Sequence, residues 1–108
     1  DLYINASKQL CSSTPATTYI TGTKVLAANQ WYHVAMVRYN GTISLYLNGT
    51  SIGSTATSYN ATYNGSGVEV GQGHGWWLNG YIDDLRITNG YARYTSNFTP
   101  PTTALPTY

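Results

Sequence analysis

Two Asn-Gly dipeptides, Asn40-Gly41 and Asn48-Gly49, lie in the run from Trp31 to Gly53 and constrain this chain more than any other feature. Each is flanked by alternating apolar residues. Asn-Gly favours a two-residue type I′ turn, because both central positions need positive φ and these residue types accept it at least cost. A two-residue loop also fixes the register of the strands it joins. Across the first turn Arg38 is expected to face Ile43, Met36 to face Leu45 and Val34 to face Leu47. Across the second, Leu47 is expected to face Thr50 and Leu45 to face Ile52. Val34, Met36, Ile43, Leu45, Leu47 and Ile52 then share one face of a three-stranded antiparallel meander. The opposite face carries His33, Ala35, Val37, Tyr39, Ser44 and Tyr46, a set not polar enough to lie bare in water. A loop, a further strand, a neighbouring subunit or a ligand is expected to cover it.

A chain of 108 residues has room for one domain with a modest core. Only 8% of it is charged, against roughly 25% in average proteins, so its polar surface comes from Ser, Thr and Asn. Tyr occurs 11 times and Phe once, a mixture that suits strands and turns; no stretch carries a sustained helical period with caps. The net charge of +1 arises from scattered basic residues. Without a basic stripe, nucleic acid is not an expected partner. The low charge fits an extracellular or virion protein. Cys11 is alone, which excludes an intrachain disulfide, a zinc cluster and a CxxC redox motif. It is expected to be a small buried hydrophobe, an interchain bridge being the alternative. No apolar run is long enough for a membrane-spanning helix, so membrane insertion is not expected. The opening Asp1-Leu2-Tyr3-Ile4-Asn5, already in strand alternation, reads as that of a fragment or a processed product.

Along the chain, Leu2 to Asn5 is expected to form a short strand and the stretch through Cys11-Ser12-Ser13-Thr14-Pro15 to be turn-rich. Thr17 to Thr23 is rich in β-branched residues and reads as a strand. Residues 54–67, dominated by Ser, Thr, Asn and Gly, read as an exposed loop that has room for a short edge strand. Val68 to Gly71 reads as a short strand, Gly71 to Gly75 as a glycine-studded loop delivering Trp76 and Trp77, and Gly80 to Thr88 as a strong strand. Asn89-Gly90 is a candidate turn. About eight short strands separated by turn signals argue for an all-β antiparallel sandwich over residues 1–99. Pro100, Pro101 and Pro106 make residues 100–108 an extended tail that cannot serve as a central strand.

Three segments carry a resemblance: Trp31 to Arg38, Leu45-Tyr46-Leu47-Asn48-Gly49, and Gly80-Tyr81-Ile82-Asp83-Asp84-Leu85-Arg86-Ile87-Thr88. Together they resemble the laminin G-like, concanavalin A-like lectin/glucanase superfamily. The ending from Gly90 to Thr102 is similar to the version found in bacteriophage and prophage structural proteins. The resemblance implies a jelly roll of two antiparallel sheets, of which this chain would be the C-terminal portion. It also implies a non-enzymatic virion structural domain, such as a tail fibre, appendage or capsid decoration, that attaches to a host surface or glycan. The implied partners are other virion or surface-protein chains in an oligomeric assembly, and possible alternatives are a purely structural assembly module or an accessory carbohydrate-binding module of a bacterial surface protein or enzyme.

Glucanases flank the scissile bond with two carboxyl groups. Asp1, Glu69, Asp83 and Asp84 are the only acids here, and neighbours on a strand point to opposite faces, so Asp83 and Asp84 would not flank one bond. The two His residues have no Ser or Cys arranged beside them for nucleophilic work, and no catalytic residue is expected. If Leu85 and Ile87 face one side of a strand, Asp83 shares it, while Asp84 pairs with Arg86 on the other. Asp83 would then need a partner such as Arg38 or Arg93, because an unpaired buried carboxylate is costly. A structural role is preferred to calcium ligation by Asp83 and Asp84, which some relatives use and which needs six to eight oxygens. No other cofactor is expected.

Gly71-Gln72-Gly73-His74-Gly75-Trp76-Trp77 is the candidate binding segment, with His74, Trp76 and Trp77 as the contact residues. Two adjacent Trp side chains cannot both enter a core from an extended segment, so one is expected to face solvent, a ligand or a partner. An exposed indole offers a flat apolar face and an N–H donor, a combination that suits a sugar or a protein interface. The glycines are not a nucleotide loop, since no Lys-Ser/Thr follows them. Six Asn-x-Ser/Thr sequons, at Asn5, Asn40, Asn48, Asn60, Asn64 and Asn97, are read as turn chemistry.

Overall fold

A computed structural model describes residues 1–14, 17–58, 67–73 and 75–106. Both Asn-Gly turns form, with φ of 46° and 73° at Asn40 and Gly41 and of 50° and 79° at Asn48 and Gly49. They join strands β4 (Val34–Tyr39), β5 (Thr42–Leu47) and β6 (Thr50–Ala56) into one antiparallel sheet. The first register is the expected one: Val34 opposes Leu47, Met36 opposes Leu45 and Arg38 opposes Ile43. The second holds for Leu47 and Thr50 but then slips at a β-bulge, so that Leu45 faces Gly53 rather than Ile52.

The other sheet shows the cause of the slip. Strands β1 (Leu2–Ile4), β2 (Gln9–Thr14) and β3 (Thr17–Val25) form it in that order, all antiparallel. β3 lies against β6, and each strand offers the other an Ile and a Gly. A Cβ on Gly22 would stand 2.8 Å from Ile52 Cδ1, and one on Gly53 would stand 2.6 Å from Ile20 Cγ2. A bulge places two successive residues against a single partner, which frees both Ile52 and Gly53 for this reciprocal contact. Leu10, Ile20, Leu26, Ile43, Leu45 and Leu47 form the core between the sheets, with Tyr19, Tyr32 and Ile52 packed at its margin. Burying an aliphatic side chain of this size contributes about 1.5–3 kcal/mol. The chain is thus an all-β antiparallel sandwich. Among the described residues no helix is long and apolar enough to cross a membrane.

Several sequence expectations need correction. Cys11 to Thr14 belongs to β2 and is not turn-rich. The turn lies earlier, where Asn5 N–H donates to Gln9 O at 2.9 Å, Lys8 N–H to Asn5 O at 2.9 Å, and Gln9 N–H to Asn5 Oδ1 at 2.9 Å. Lys8 takes φ of 60° to close it. Cys11 is buried as expected, and its thiol is free. Val68 to Gly71 is not a strand, and neither is Gly80 to Thr88. In the latter, Asp84 has φ of 56°, which breaks the alternation of side chains, and no ladder partner runs beside it among the described residues. Alternation is necessary for a strand, but a strand exists only where a neighbour accepts its hydrogen bonds. Of the stretch 54–67, read as a loop with room for a short edge strand, Ser54 to Ala56 ends β6, and residues 59–66 lie outside the described set.

The meander is covered unevenly. On the face expected to be the core, Ile43, Leu45 and Leu47 are buried, yet Val34 and Met36 on β4 remain 39% and 44% exposed. The opposite face is covered at Tyr46, only 3% exposed, by the chain's own C-terminal segment.

Candidate functional site

The glycine-studded segment forms a small antiparallel hairpin of β7 (Gln72–Gly73) and β8 (Trp76–Trp77), with Gln72 opposite Trp77 and Gly73 opposite Trp76. Leu78 N–H closes its base on Gly71 O at 2.8 Å. Gly71 and Gly75 have φ of 79° and 82°, and these two positions need glycine for the bends. Among the described residues a Cβ on Gly71, Gly73 or Gly75 would meet nothing within 4 Å; β7 is half-buried and β8 is the exposed half of the hairpin. Trp76 and Trp77 are 82% and 79% exposed, whereas the sequence argument required only one indole to face outward. Consecutive strand residues point to opposite faces, so the hairpin presents one indole on each side. Each is a flat apolar surface with an N–H donor. Tyr81 is also exposed a few residues on. His74 lies outside the described residues.

Asp83 and Asp84 sit beyond this hairpin. Asp83 Oδ1 accepts from Asp84 N–H at 2.8 Å, and both Asp84 oxygens accept from Leu105 N–H, at 2.9 and 2.8 Å. Asp84 therefore holds the proline-rich tail. Arg86 turns instead to Tyr94, with Nη2 at a long 3.4 Å from the hydroxyl, and Arg93 Nε donates to Thr88 Oγ1 at 3.0 Å. Among the described residues no three His, Cys, Asp or Glu side chains gather. Calcium needs six to eight oxygens, and here two carboxylates already face backbone N–H donors. These residues do not fit such a site.

The sequence reading missed a second constellation, a strap formed by Tyr94, Asn97 and Phe98. Tyr94 and Phe98 stack with ring centroids 3.5 Å apart and planes within 6°. Phe98 also meets the edges of His33 and Tyr46, each at 5.4 Å. Phe98 N–H donates to Gly49 O at 2.9 Å, and Ser51 N–H to Asn97 Oδ1 at 2.8 Å. Gly49 is buried against the Phe98 carbonyl, where a Cβ would collide with it. Asn48 braces the same corner: its Oδ1 accepts from His33 N–H at 2.9 Å and its N–H donates to His33 O at 2.8 Å. Burial, and next the positive charge of Arg86, hold the His33 imidazole below its ordinary value of 6.5. Among the described residues its Nδ1 is enclosed without a hydrogen-bonding partner. The signal that pointed here was the under-polar second face of the meander, which needed a cover, together with the lone Phe of the chain near its end.

A family model described as the concanavalin A-like lectin/glucanases superfamily, Laminin_G_3, matches residues 2–93. Among solved structures, the chain is similar to residues 221–444 of an S-layer domain-containing protein from Clostridium thermocellum, with a TM-score of 0.54 and 25% identity. The match covers 84% of this chain and 46% of that one, so the chain spans less than half of that structure. No curated protein sequence matches the chain significantly.

Proposed function

The chain belongs to the concanavalin A-like lectin/glucanase superfamily, and from that premise we propose that it is a non-enzymatic attachment module of a surface or extracellular protein. Its contact element is the β7–β8 hairpin. The observation that carries this reading is the pair of adjacent indoles, each about four-fifths exposed, on the outer strand of a glycine-bent hairpin. Indole faces stack on the apolar C–H faces of sugar rings, and a partly solvated N–H adds a directional bond. A saccharide is therefore the preferred ligand. Because the two indoles face opposite ways, each engages its own sugar unit, or one of them rests on a neighbouring chain.

The similarity to an S-layer domain-containing protein supports a cell-surface setting. A virion setting rests on the resemblance of the Gly90–Thr102 ending to phage structural proteins. A second reading, an assembly module without a ligand, is favoured by the exposure of Val34 and Met36 on the apolar face of β4. A glycan array separates the two. Specific binding that falls at least tenfold in both Trp76→Ala and Trp77→Ala, with melting unchanged, supports the attachment role. Binding that survives both substitutions removes the hairpin as the site, and no binding to any glycan leaves the assembly reading.

A further inference from the structure

The chain contains a natural internal comparison: Asn40-Gly41-Thr42 and Asn48-Gly49-Thr50 are the same tripeptide in turns of nearly the same backbone geometry. What surrounds them differs. We propose that Asn40 is a site of spontaneous deamidation, and that the Phe98 strap and His33 protect Asn48 from the same reaction. The chemistry needs only water. The backbone nitrogen of the following Gly attacks Asn Cγ, a C–N bond forms, and the side-chain amide nitrogen leaves as ammonia with the proton that the Gly nitrogen loses. Water then opens the cyclic imide at either carbonyl, leaving Asp or isoaspartate. The attack requires the Asn side chain to swing and the peptide to turn until the Gly nitrogen reaches Cγ.

At Asn40 less opposes that movement. Both asparagines are exposed and both glycine carbonyls are held, Gly41 O by Thr57 N–H at 2.8 Å, but no hydrogen bond holds the Asn40 side chain among the described residues, and a Cβ on Gly41 would meet nothing nearer than Thr57 O at 4.0 Å. At Asn48 both ends are held. Its Oδ1 and its N–H are engaged by His33 at 2.9 and 2.8 Å. Gly49 is buried beneath the Phe98 carbonyl and tied to Phe98 N–H at 2.9 Å. Rotation at Asn48 would break three hydrogen bonds and lift the strap. The consequence at Asn40 is local but costly. Isoaspartate lengthens the main chain of a two-residue loop whose register sets Ile43 and Leu45 into the core.

The test is peptide mapping by mass spectrometry of the protein held at mildly alkaline pH, with wild type in urea as the reference. In urea the two tripeptides should convert at similar rates. In the folded protein Asn40 should convert at least tenfold faster than Asn48. In Phe98→Ala the Asn48 rate should rise toward that of Asn40, while the Asn40 rate holds. Equal rates at the two sites in the folded wild type overturn the proposal. If Phe98→Ala fails to fold, Asn97→Ala, which removes the Ser51 contact alone, takes its place. An Asn48 rate unmoved in a folded strap variant removes the protective role of the strap.

Discussion

Leu45 and Ser44 are neighbours on β5 with opposite surroundings. Leu45 is fully buried among Leu10, Ile20 and Leu47, whereas the Ser44 hydroxyl lies 2.9 Å from that of Ser54 on the other face. A carboxylate at Leu45 would be buried without a partner, so Leu45→Asp should lower unfolding free energy by about 4 kcal/mol or abolish folding. Ser44→Asp loses one hydroxyl contact and should cost about 1 kcal/mol. Urea titration of the two variants checks this, and equal damage would show that the assigned faces are wrong. The two turn glycines allow a similar contrast. Gly41 and Gly49 both have positive φ, but only Gly49 lies under another backbone. Gly41→Ala should cost about 1 kcal/mol of strain. Gly49→Ala adds the collision with the Phe98 carbonyl and should cost about 3 kcal/mol while freeing the strap. Its release would appear as new protease cleavage after Arg93; a Gly49→Ala protein as stable and as resistant as Gly41→Ala would refute the close approach. The sequence showed why both positions are glycine in a turn. It did not show that one of them is also a floor for a segment about fifty residues away.

Elements were legible in proportion to how locally they are determined. The β4–β5 hairpin follows from Asn40-Gly41 and alternation alone, and its register came out as read. The β5–β6 pairing began as read and then slipped, because the bulge at Ile52 answers to Gly22 and Ile20 on the opposite sheet, which a local pattern does not contain. Gly80 to Thr88 failed for the same reason in stronger form: its residue pattern alternates, but Asp84 turns left-handed to hold Leu105, and among the described residues no strand pairs with it. Asp84→Ala should therefore make the bonds after Pro101 more sensitive to protease, whereas EDTA should leave the melting temperature within about 1 °C, since among the described residues no three acidic, His or Cys side chains gather. A melting point that falls with chelator and recovers with calcium would reverse that ranking. The strap carries a pH dependence. His33 faces Arg86, Tyr94 and Phe98, and its folded-state value is held below 6.5. The unfolded chain takes up a proton as pH falls through about 6.5, before the folded chain does, so stability is full above that pH and declines below it. The decline levels off only beneath the folded-state value. Urea midpoints measured from about pH 7.5 to about pH 5 should fall, and His33→Phe should flatten that part of the curve; an unchanged slope in this variant would remove His33 as the cause.

At the scale of the whole molecule, the sandwich is closed on one side and open on the other. β3 and β6 are joined by the reciprocal Ile and Gly contacts, while at the far margins Leu2, Tyr3 and Ile4 on β1 and Val34 and Met36 on β4 keep more than a third of their surface in water. Ile82, Leu85, Ile87 and Tyr91 add further apolar exposure along the segment that sequence reading took for a strand. Large apolar exposure on a protein surface marks a contact, and among the described residues both β1 and β4 are edge strands, whose unpaired N–H and C=O groups add a template for pairing. The two halves of this exposure differ in kind. The indoles of the β7–β8 hairpin project singly and are suited to a small flat ligand, whereas the β1 and β4 margins are extended and suited to another strand. Self-association should therefore run through the margins and not through the hairpin. Sedimentation velocity of the 108-residue chain should show association that grows with concentration. Val34→Lys with Met36→Lys should shift it toward monomer, because lysines on an edge strand block lateral pairing, while Trp76→Ala should leave it unchanged. A cooperatively melting wild-type monomer at every concentration would show that this sandwich tolerates its open side. Dispersal by Trp76→Ala alone would move the interface to the hairpin and leave the margins without a partner.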